Sequence, residues 1–424
     1  MPLFFYILQL MLFDFNHRPA RSYILPVIQT ASISIRPPIK PDWKRISKSW
    51  GHPFHPMCSY MAMFPPRIPH YFIQRFTRPG DRVLDPFSGR GTTPTQACVE
   101  GRIGIANDLN PLAYVLSHAK VDPPAKQTVL ARLRELEKGC RRGATAIPGR
   151  SDPITVVFHP DTLQQLAYLR TALTESREDI FIRATILGIL HGKYRRSGTD
   201  SIYLSIDMPN TFSMSPDYIR KYVQDKGLQY LPLDVFTNTR RRLERLYRRG
   251  RPPVRGLAYQ QDVRHLHEVI PSGSIQLVMS SPPYLKVIKY GLYNWIRLWF
   301  LDVPVTEVDH NLDDGHALPA YLEFMGDTIR QLERLMQSGG VAALVIGDVA
   351  KKGEPPINLA AAVWEAVAKQ TGLRLVDIVP DAIADSAKVT KIWNETRGQA
   401  TAVDRILVLC KGDGPATNHP TVDW

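Results

Sequence analysis

The segment Val83-Leu84-Asp85-Pro86-Phe87-Ser88-Gly89-Arg90-Gly91-Thr92-Thr93 constrains the fold of this chain more than any other. An apolar strand stops in a Gly-rich turn and runs straight into a helix. That arrangement brings backbone close to a ligand at the carboxyl end of a parallel strand. The pattern around it predicts a helix over 69–76, a strand over 82–84, a helix over 93–99, a strand over 103–106 and a helix through Ala119. Pro123-Pro124 then halts the alternation. It resumes with strands at 256–259 and 275–279, a helix over 318–336, a strand at 341–346, a helix over 358–370, and strands at 373–379 and 405–410. The expected architecture is an α/β, mostly parallel sheet of seven strands.

Between 124 and 255 the strand and helix alternation disappears. Leu130, Leu133 and Leu136 have helical spacing, and 162–173, 179–190, 216–223 and 239–247 continue that texture. The organisation expected is an N-terminal extension (1–50), a first part of the sheet domain (51–123), a mostly helical insertion (124–255), a second part of the sheet domain (256–411) and a tail (412–424). With 424 residues the chain has room for one α/β domain of roughly 250 residues plus such an insertion.

A second unusual segment, Ser281-Pro282-Pro283-Tyr284, follows the apolar run 275–279. Two prolines deny amide donors and stiffen the chain, so nearby carbonyls hold a fixed direction while Tyr284 offers a flat face. Such a turn fits an exocyclic amine on a flat ring. The Ser281 hydroxyl and the Pro282 carbonyl would accept hydrogen bonds from the NH2, and Tyr284 would stack on the ring. In a doubly wound sheet both loops open on the same edge, so residues remote in sequence face one crevice.

The Gly-rich turn lacks the Gly-Lys-Ser/Thr ending of a phosphate loop. It opens instead on Asp85-Pro86-Phe87, and an acid at a strand tip suits a cationic or amine-bearing ligand. The next strand ends in Asn107-Asp108-Leu109-Asn110, where an acid can accept both hydroxyls of a ribose. Gln261-Asp262 stands in a loop suited to a purine amino group, although Asp262 could equally cap the helix beginning near His265. Four scattered cysteines, Cys58, Cys98, Cys140 and Cys410, have neither metal-ligand nor disulfide spacing. The histidines form no convincing ligand set, so no metal is expected. No stretch reaches 18 apolar residues, and the apolar start of the chain reads as a packed or partner-facing segment of a soluble protein.

A net charge of +13 favours a polyanionic partner. The charge collects at Arg240-Arg241-Arg242, Arg245, Arg248-Arg249 and Arg251, and at Lys193, Arg195 and Arg196. Arg241, Arg245, Arg248 and the second cluster are candidates for phosphate contact. The alternative for each is a solvated helix face.

With these residues in view, the chain resembles the DNA amino-methyltransferases that use S-adenosylmethionine, and within them the cytosine-N4 members. Asp-Pro-Phe-x-Gly-x-Gly-Thr is matched from Asp85 to Thr92 and Ser-Pro-Pro-Tyr from Ser281 to Tyr284, where adenine-N6 members more often carry Asp or Asn at the first position. Tyr60 to Arg67 resembles the element that closes over the methionine end of the cofactor. The resemblance implies a Rossmann-like methyltransferase sheet whose last strand is antiparallel. It implies that Asp85, Phe87, Gly89 and Gly91, with Phe64, Pro86 and Thr92, surround the methionine moiety, that Asp108 takes the ribose and Asp262 the adenine, and that Ser281, Pro282, Pro283 and Tyr284 form the catalytic turn. It implies methyl transfer to N4 of cytosine in double-stranded DNA by base flipping, a cytoplasmic location in a prokaryotic or viral setting, and room for a cognate restriction system; oligomeric state stays open. The alternatives are an adenine-N6 or RNA amino-methyltransferase, or a non-catalytic DNA-binding protein. In members of this order the target-recognition region usually precedes the Pro-Pro loop, whereas the insertion here comes earlier.

Overall fold

Every residue of the strand Ile275–Ser280 is buried, the state of a strand covered by helices on both faces. It lies at the centre of a seven-stranded sheet in the computed structural model, which describes residues 38–47, 49–61, 64–143, 145–194, 201–283, 290–312, 317–349, 357–382 and 403–414. The strands are β1 (Arg82–Asp85), β2 (Ile103–Asn107), β3 (Leu257–Tyr259), β4 (Ile275–Ser280), β5 (Met336–Gly347), β6 (Leu373–Ala382) and β7 (Val403–Lys411), in the spatial order β3-β2-β1-β4-β5-β7-β6. β1 pairs in parallel with both β2 and β4, and β7 runs antiparallel between β5 and β6. This is the expected Rossmann-like sheet with its antiparallel last strand.

Alternate side chains of the central strands feed two cores. Leu84, Ile105, Val278 and Leu344 point to one face, Val83, Leu277 and Ala343 to the other. On the sheet's flanks lie α1 (Arg67–Phe76), α2 (Thr92–Val99) and α3 (Pro111–Val121). α4 (Lys126–Arg142), α5 (Pro160–Ala172), α6 (Arg177–Leu187), α7 (Pro216–Lys226) and α8 (Val235–Leu246) lie between α3 and β3, in the stretch 124–255 expected to be a helical insertion, hereafter the insertion. After β4 come α9 (Tyr290–Tyr293), α10 (Trp295–Leu301) and α11 (Val305–Asn311), then α12 (Leu318–Leu335) and α13 (Leu359–Val367). Among the described residues no helix is long and apolar enough to cross a membrane.

α6, α7 and α8 start where side chains satisfy their first amides. Ser176, Ser215 and Asp234 accept from the backbone of Asp179, Tyr218 and Thr237. Their apolar faces join a third core. Leu133, Leu166, Phe181 and Leu243 pack there with Phe54 and Met57 upstream of the sheet, with Leu116 of α3, and with Ile296 and Phe300 of α10. At Gly188 the contact is backbone on backbone, since an added Cβ would lie 1.9 Å from the Met57 carbonyl oxygen.

Two differences from the sequence pattern have physical reasons. β5 begins at Met336, directly after α12, whereas the pattern puts the strand at 341–346; Ile275 pairs with Met336 and Leu277 with Val341, so Gln337-Ser338-Gly339-Gly340 form an irregularity within the strand. No element was expected at 290–311. The helices there are four to seven residues long, too short to show a helical period, and α10 is apolar nearly all round because it is sandwiched in the third core. Within the extension, Trp43 is fully buried against Tyr71 and Phe72. The apolar start of the chain lies outside the described residues.

Candidate functional site

The chain lays down β1, β2 and β3 moving outward, then returns to β4 on the other side of β1. The tips of β1 and β4 therefore flank the point where strand order reverses, the place where an open α/β sheet leaves a crevice. Side chains tie these tips together. Ser280, the last residue of β4, donates from its hydroxyl to Asp85 Oδ1 at 2.6 Å, and the Phe87 amide reaches the same oxygen at 3.3 Å. Asn107 at the end of β2 donates from Nδ2 to the carbonyls of Pro86 (3.1 Å) and Gln261 (2.9 Å) and accepts from the Gln261 amide at 3.0 Å. Asp108 accepts from the amides of Gly89 (2.8 Å) and Asn110 (3.0 Å), which fastens the Gly-rich turn to the β2 tip.

The turn uses its glycines for shape and for close approach. Gly89 has φ +49° and would place a Cβ 3.2 Å from the Tyr60 ring; Gly91 has φ +77° and would place one 2.9 Å from Ser117 Oγ. Behind the turn, buried Lys120 donates from Nζ to the Arg90 carbonyl between the two glycines. Asn110 caps α3 through Oδ1 and donates from Nδ2 to the Tyr60 hydroxyl at 3.0 Å. Tyr60 in turn stacks on Tyr290, with centroids 5.8 Å apart and planes 27° apart.

A cavity of ≈ 390 Å³ opens over these tips. Phe64, Asp85, Pro86, Phe87, Gly89 and Thr92 line one part of it, and Asp108 and Asp262 another. Ser281, Pro282 and Pro283 line a further wall, so the two sequence segments do meet. Gly91 does not line the cavity but shapes its rim. Tyr284 lies outside the described residues. Asp262 caps the 3-10 turn Val263–Glu268 and is held by Arg264, whose Nε lies 3.0 and 3.1 Å from its two oxygens. Both readings of Asp262 from the sequence thus remain compatible with its position: it caps, and it faces the cavity.

The electrostatics favour a cationic ligand. Burial raises the Asp85 carboxyl to about 7, against the bonds from Ser280 and Phe87, and raises Asp108 to about 6, against the amides of Asn110 and Gly89. Hydrogen bonding to Arg264 holds Asp262 below the usual carboxylate range. Glu323 and Asp327 of α12 also line the cavity with carboxylates. A bound cation would repay the cost of ionising Asp85 and Asp108 in this setting.

The sequence pattern did not point to Ser280, Tyr290, Arg264 or the α12 residues Tyr321, Glu323, Phe324 and Asp327, all at the site. Phe324 sits against Phe87 at 6.0 Å between ring centroids. The helix α12 was expected from its pattern, but no local signal marks its face as part of the site, a contribution that arises only from packing; Ser280 adjoins the Pro-Pro turn and could have been suspected from its place at a strand tip.

The arginine-rich stretch divides. Arg240 pairs with Glu137, Arg242 donates to the carbonyls of Pro56 and Met57, and Arg249 to that of Gly51. Arg241, Arg245 and Arg248 are exposed along α8 and the turn after it, without an ion pair to a described residue. Lys193 is exposed; Arg195 and Arg196 lie outside the described residues. Among the described residues no group of three or more His, Cys, Asp or Glu could hold a metal ion.

Residues 30–114 match the N6_N4_Mtase family model, described as DNA methylase. Over 287 residues the chain is 23% identical to the type II methyltransferase M.MvaI of Kocuria varians, covering 62% of this chain and 60% of that protein. Over 70 residues it is 34% identical to the type II methyltransferase M.MjaII of Methanocaldococcus jannaschii, covering 16% and 13%. The chain thus spans less than two thirds of the length of either relative. Among solved structures, the rRNA methyltransferase AviRa of Streptomyces viridochromogenes matches at TM-score 0.33 with 13% identity, covering 85% of this chain and 91% of that one.

Proposed function

We propose that this chain, whose residues 30–114 match the DNA methylase family model, is a DNA amino-methyltransferase that transfers a methyl group from S-adenosylmethionine to the exocyclic N4 of cytosine in duplex DNA. One observation carries this reading: the Gly-rich turn with its acids and the Ser281-Pro282-Pro283 turn line a single cavity. The cavity suits the cofactor in size, in its carboxylates and in the side-chain-free cradle at Gly89. Asp85 would hold the methionine end, Asp108 the ribose and Asp262 the adenine, with Phe64 and Phe87 as apolar walls. When bound, the cofactor supplies an electrophilic methyl on a sulfonium.

The chain's own part is positioning and field. Ser281 Oγ and the Pro282 carbonyl accept hydrogen bonds from the target NH2, which directs the nitrogen lone pair toward the cavity. The methylated nitrogen is then acidic and loses its extra proton to water, either directly or by relay through the Ser281 hydroxyl, which accepts one proton as it releases its own. Tyr284, beside the turn, would stack on the extruded base. Arg241, Arg245 and Arg248 would hold phosphates, and the insertion would contribute target recognition.

Nucleoside analysis by mass spectrometry after incubating the protein with duplex DNA and labelled cofactor tests the reading. N4-methylcytosine is the expected product. N6-methyladenine alone would move the target to adenine, transfer only to structured RNA would reject DNA, and transfer to neither would leave a binding module.

A further inference from the structure

Arg297 is 1% exposed, yet among the described residues no carboxylate pairs with it. Its guanidinium instead donates to four neutral acceptors on four separate stretches of chain. Nε reaches the Leu187 carbonyl at the end of α6 (3.2 Å), and Nη1 reaches Asn294 Oδ1 between α9 and α10 (2.8 Å). Nη2 reaches both the Thr211 carbonyl in the insertion (3.0 Å) and Ser59 Oγ (3.2 Å). A buried charge is tolerated only when its donors are satisfied, and only a planar five-donor fork can reach four such acceptors at once.

Two of those contacts end at the cavity wall. Ser59 immediately precedes Tyr60, and Asn294 passes the connection on by donating from Nδ2 to the Tyr290 carbonyl at 2.9 Å. Tyr60 and Tyr290 are the stacked pair that lines the cavity, with Tyr60 seated over Gly89 of the cofactor turn and Tyr290 following the Ser281–Tyr284 segment in sequence. The other two contacts belong to the insertion. There the loop before α7 is bound to the same region by Ser213 N to the Tyr293 carbonyl (2.9 Å) and Trp295 Nε1 to the Met214 carbonyl (2.8 Å).

We infer that Arg297 is a positioning residue that sets the spacing of the Tyr60–Tyr290 wall between the cofactor turn and the acceptor turn, and couples that wall to the insertion. This rests on the methyltransferase reading above. It implies that the insertion does more than present phosphate contacts: movement of its 205–215 loop is transmitted through one guanidinium to the surface against which the target base and the methyl donor are aligned.

The test compares Arg297→Lys, Ser59→Ala, Tyr290→Ala and the double variant Arg297→Lys/Tyr290→Ala with the wild type. Methyl-transfer kinetics and cofactor affinity are measured, together with fluorine spectra of fluorotyrosine-labelled protein in which Tyr60 and Tyr290 are assigned. Arg297→Lys is expected to lower kcat about tenfold to hundredfold while cofactor affinity changes by less than about threefold, since loss of alignment acts on turnover. Its Tyr60 and Tyr290 resonances should shift. The double variant should lose less than the sum of the two single losses in free energy, because the part of the effect exerted through Tyr290 vanishes once that ring is gone. Additive losses in the double variant, or unshifted resonances, would overturn the inference. If Arg297→Lys does not fold, Ser59→Ala decides in the same way: a shifted Tyr60 resonance with reduced kcat upholds it, and no change in either overturns it. If the wild type methylates no nucleic acid, the functional reading fails by itself, and the resonance shifts still decide whether Arg297 holds the wall.

Discussion

The strand tips and the basic face of α8 solve opposite problems with polar residues. At the tips, Asp85 and Asn107 are buried, Asp108 is partly buried, and all three are committed to named partners, so their polarity is fixed in direction by the fold. Along α8, Arg241, Arg245 and Arg248 are exposed, while their neighbour Arg242 is turned inward to the carbonyls of Pro56 and Met57. A ligand gripped at the tips would be held by geometry and low dielectric. One gripped by α8 would be held by long-range attraction that salt screens.

The largest effect should come from the tips. Asp85→Asn keeps an acceptor for Ser280 but removes the charge, and cofactor affinity measured by calorimetry should fall about 100-fold, in line with the loss of a charge-assisted contact in a buried site. An affinity within threefold of wild type would remove Asp85 from the ligand and weaken the contrast.

The same carboxyl predicts a pH dependence. With Asp85 raised to about 7 and Asp108 to about 6, both are increasingly neutral as pH falls below these values. A cationic ligand favours the ionised forms, so affinity should rise with pH through this window and level off above about 8. Calorimetry in buffers of different ionisation enthalpy should show proton release on binding near pH 6.5 in the wild type, and less in Asp85→Asn.

Gly91→Ala would test shape without charge. Its φ of +77° and the 2.9 Å approach to Ser117 Oγ should cost about 1–3 kcal/mol in urea unfolding. The adjacent pair Arg241 and Arg242 sharpens the comparison within one helix. Arg242→Ala should lower stability by about 1–3 kcal/mol with an unchanged salt dependence of DNA binding. Arg241→Ala should leave the Tm within a degree or so while flattening the slope of log Kobs against log salt by about 1. An unchanged slope even in the triple Arg241, Arg245 and Arg248 to Ala variant would make this face merely solvated and place DNA elsewhere.

By itself the amino-acid sequence determined the alternation that makes the sheet, the tight turn at Gly89 and Gly91, and the acids at the tips of β1 and β2, because these follow from local periodicity, from φ values open only to glycine and from strand-end chemistry. Since parallel order places strand ends on one edge, it also brought the Asp85 turn and the Ser281 turn to one crevice. What tertiary structure alone decided is what completes that crevice. Ser280 reaches Asp85 only because β4 lies beside β1; Phe324 and Glu323 arrive from α12 across the gap; and Arg297 joins four stretches that no spacing rule connects. The division of the arginine run has the same origin: the stretch from Arg240 to Arg251 looks evenly basic, but which guanidinium finds a carbonyl and which faces water depends on the helix rotation imposed by Leu243 and Leu246 in the core. Local chemistry can be read along a chain, whereas contacts between distant segments exist only once burial has chosen which faces meet.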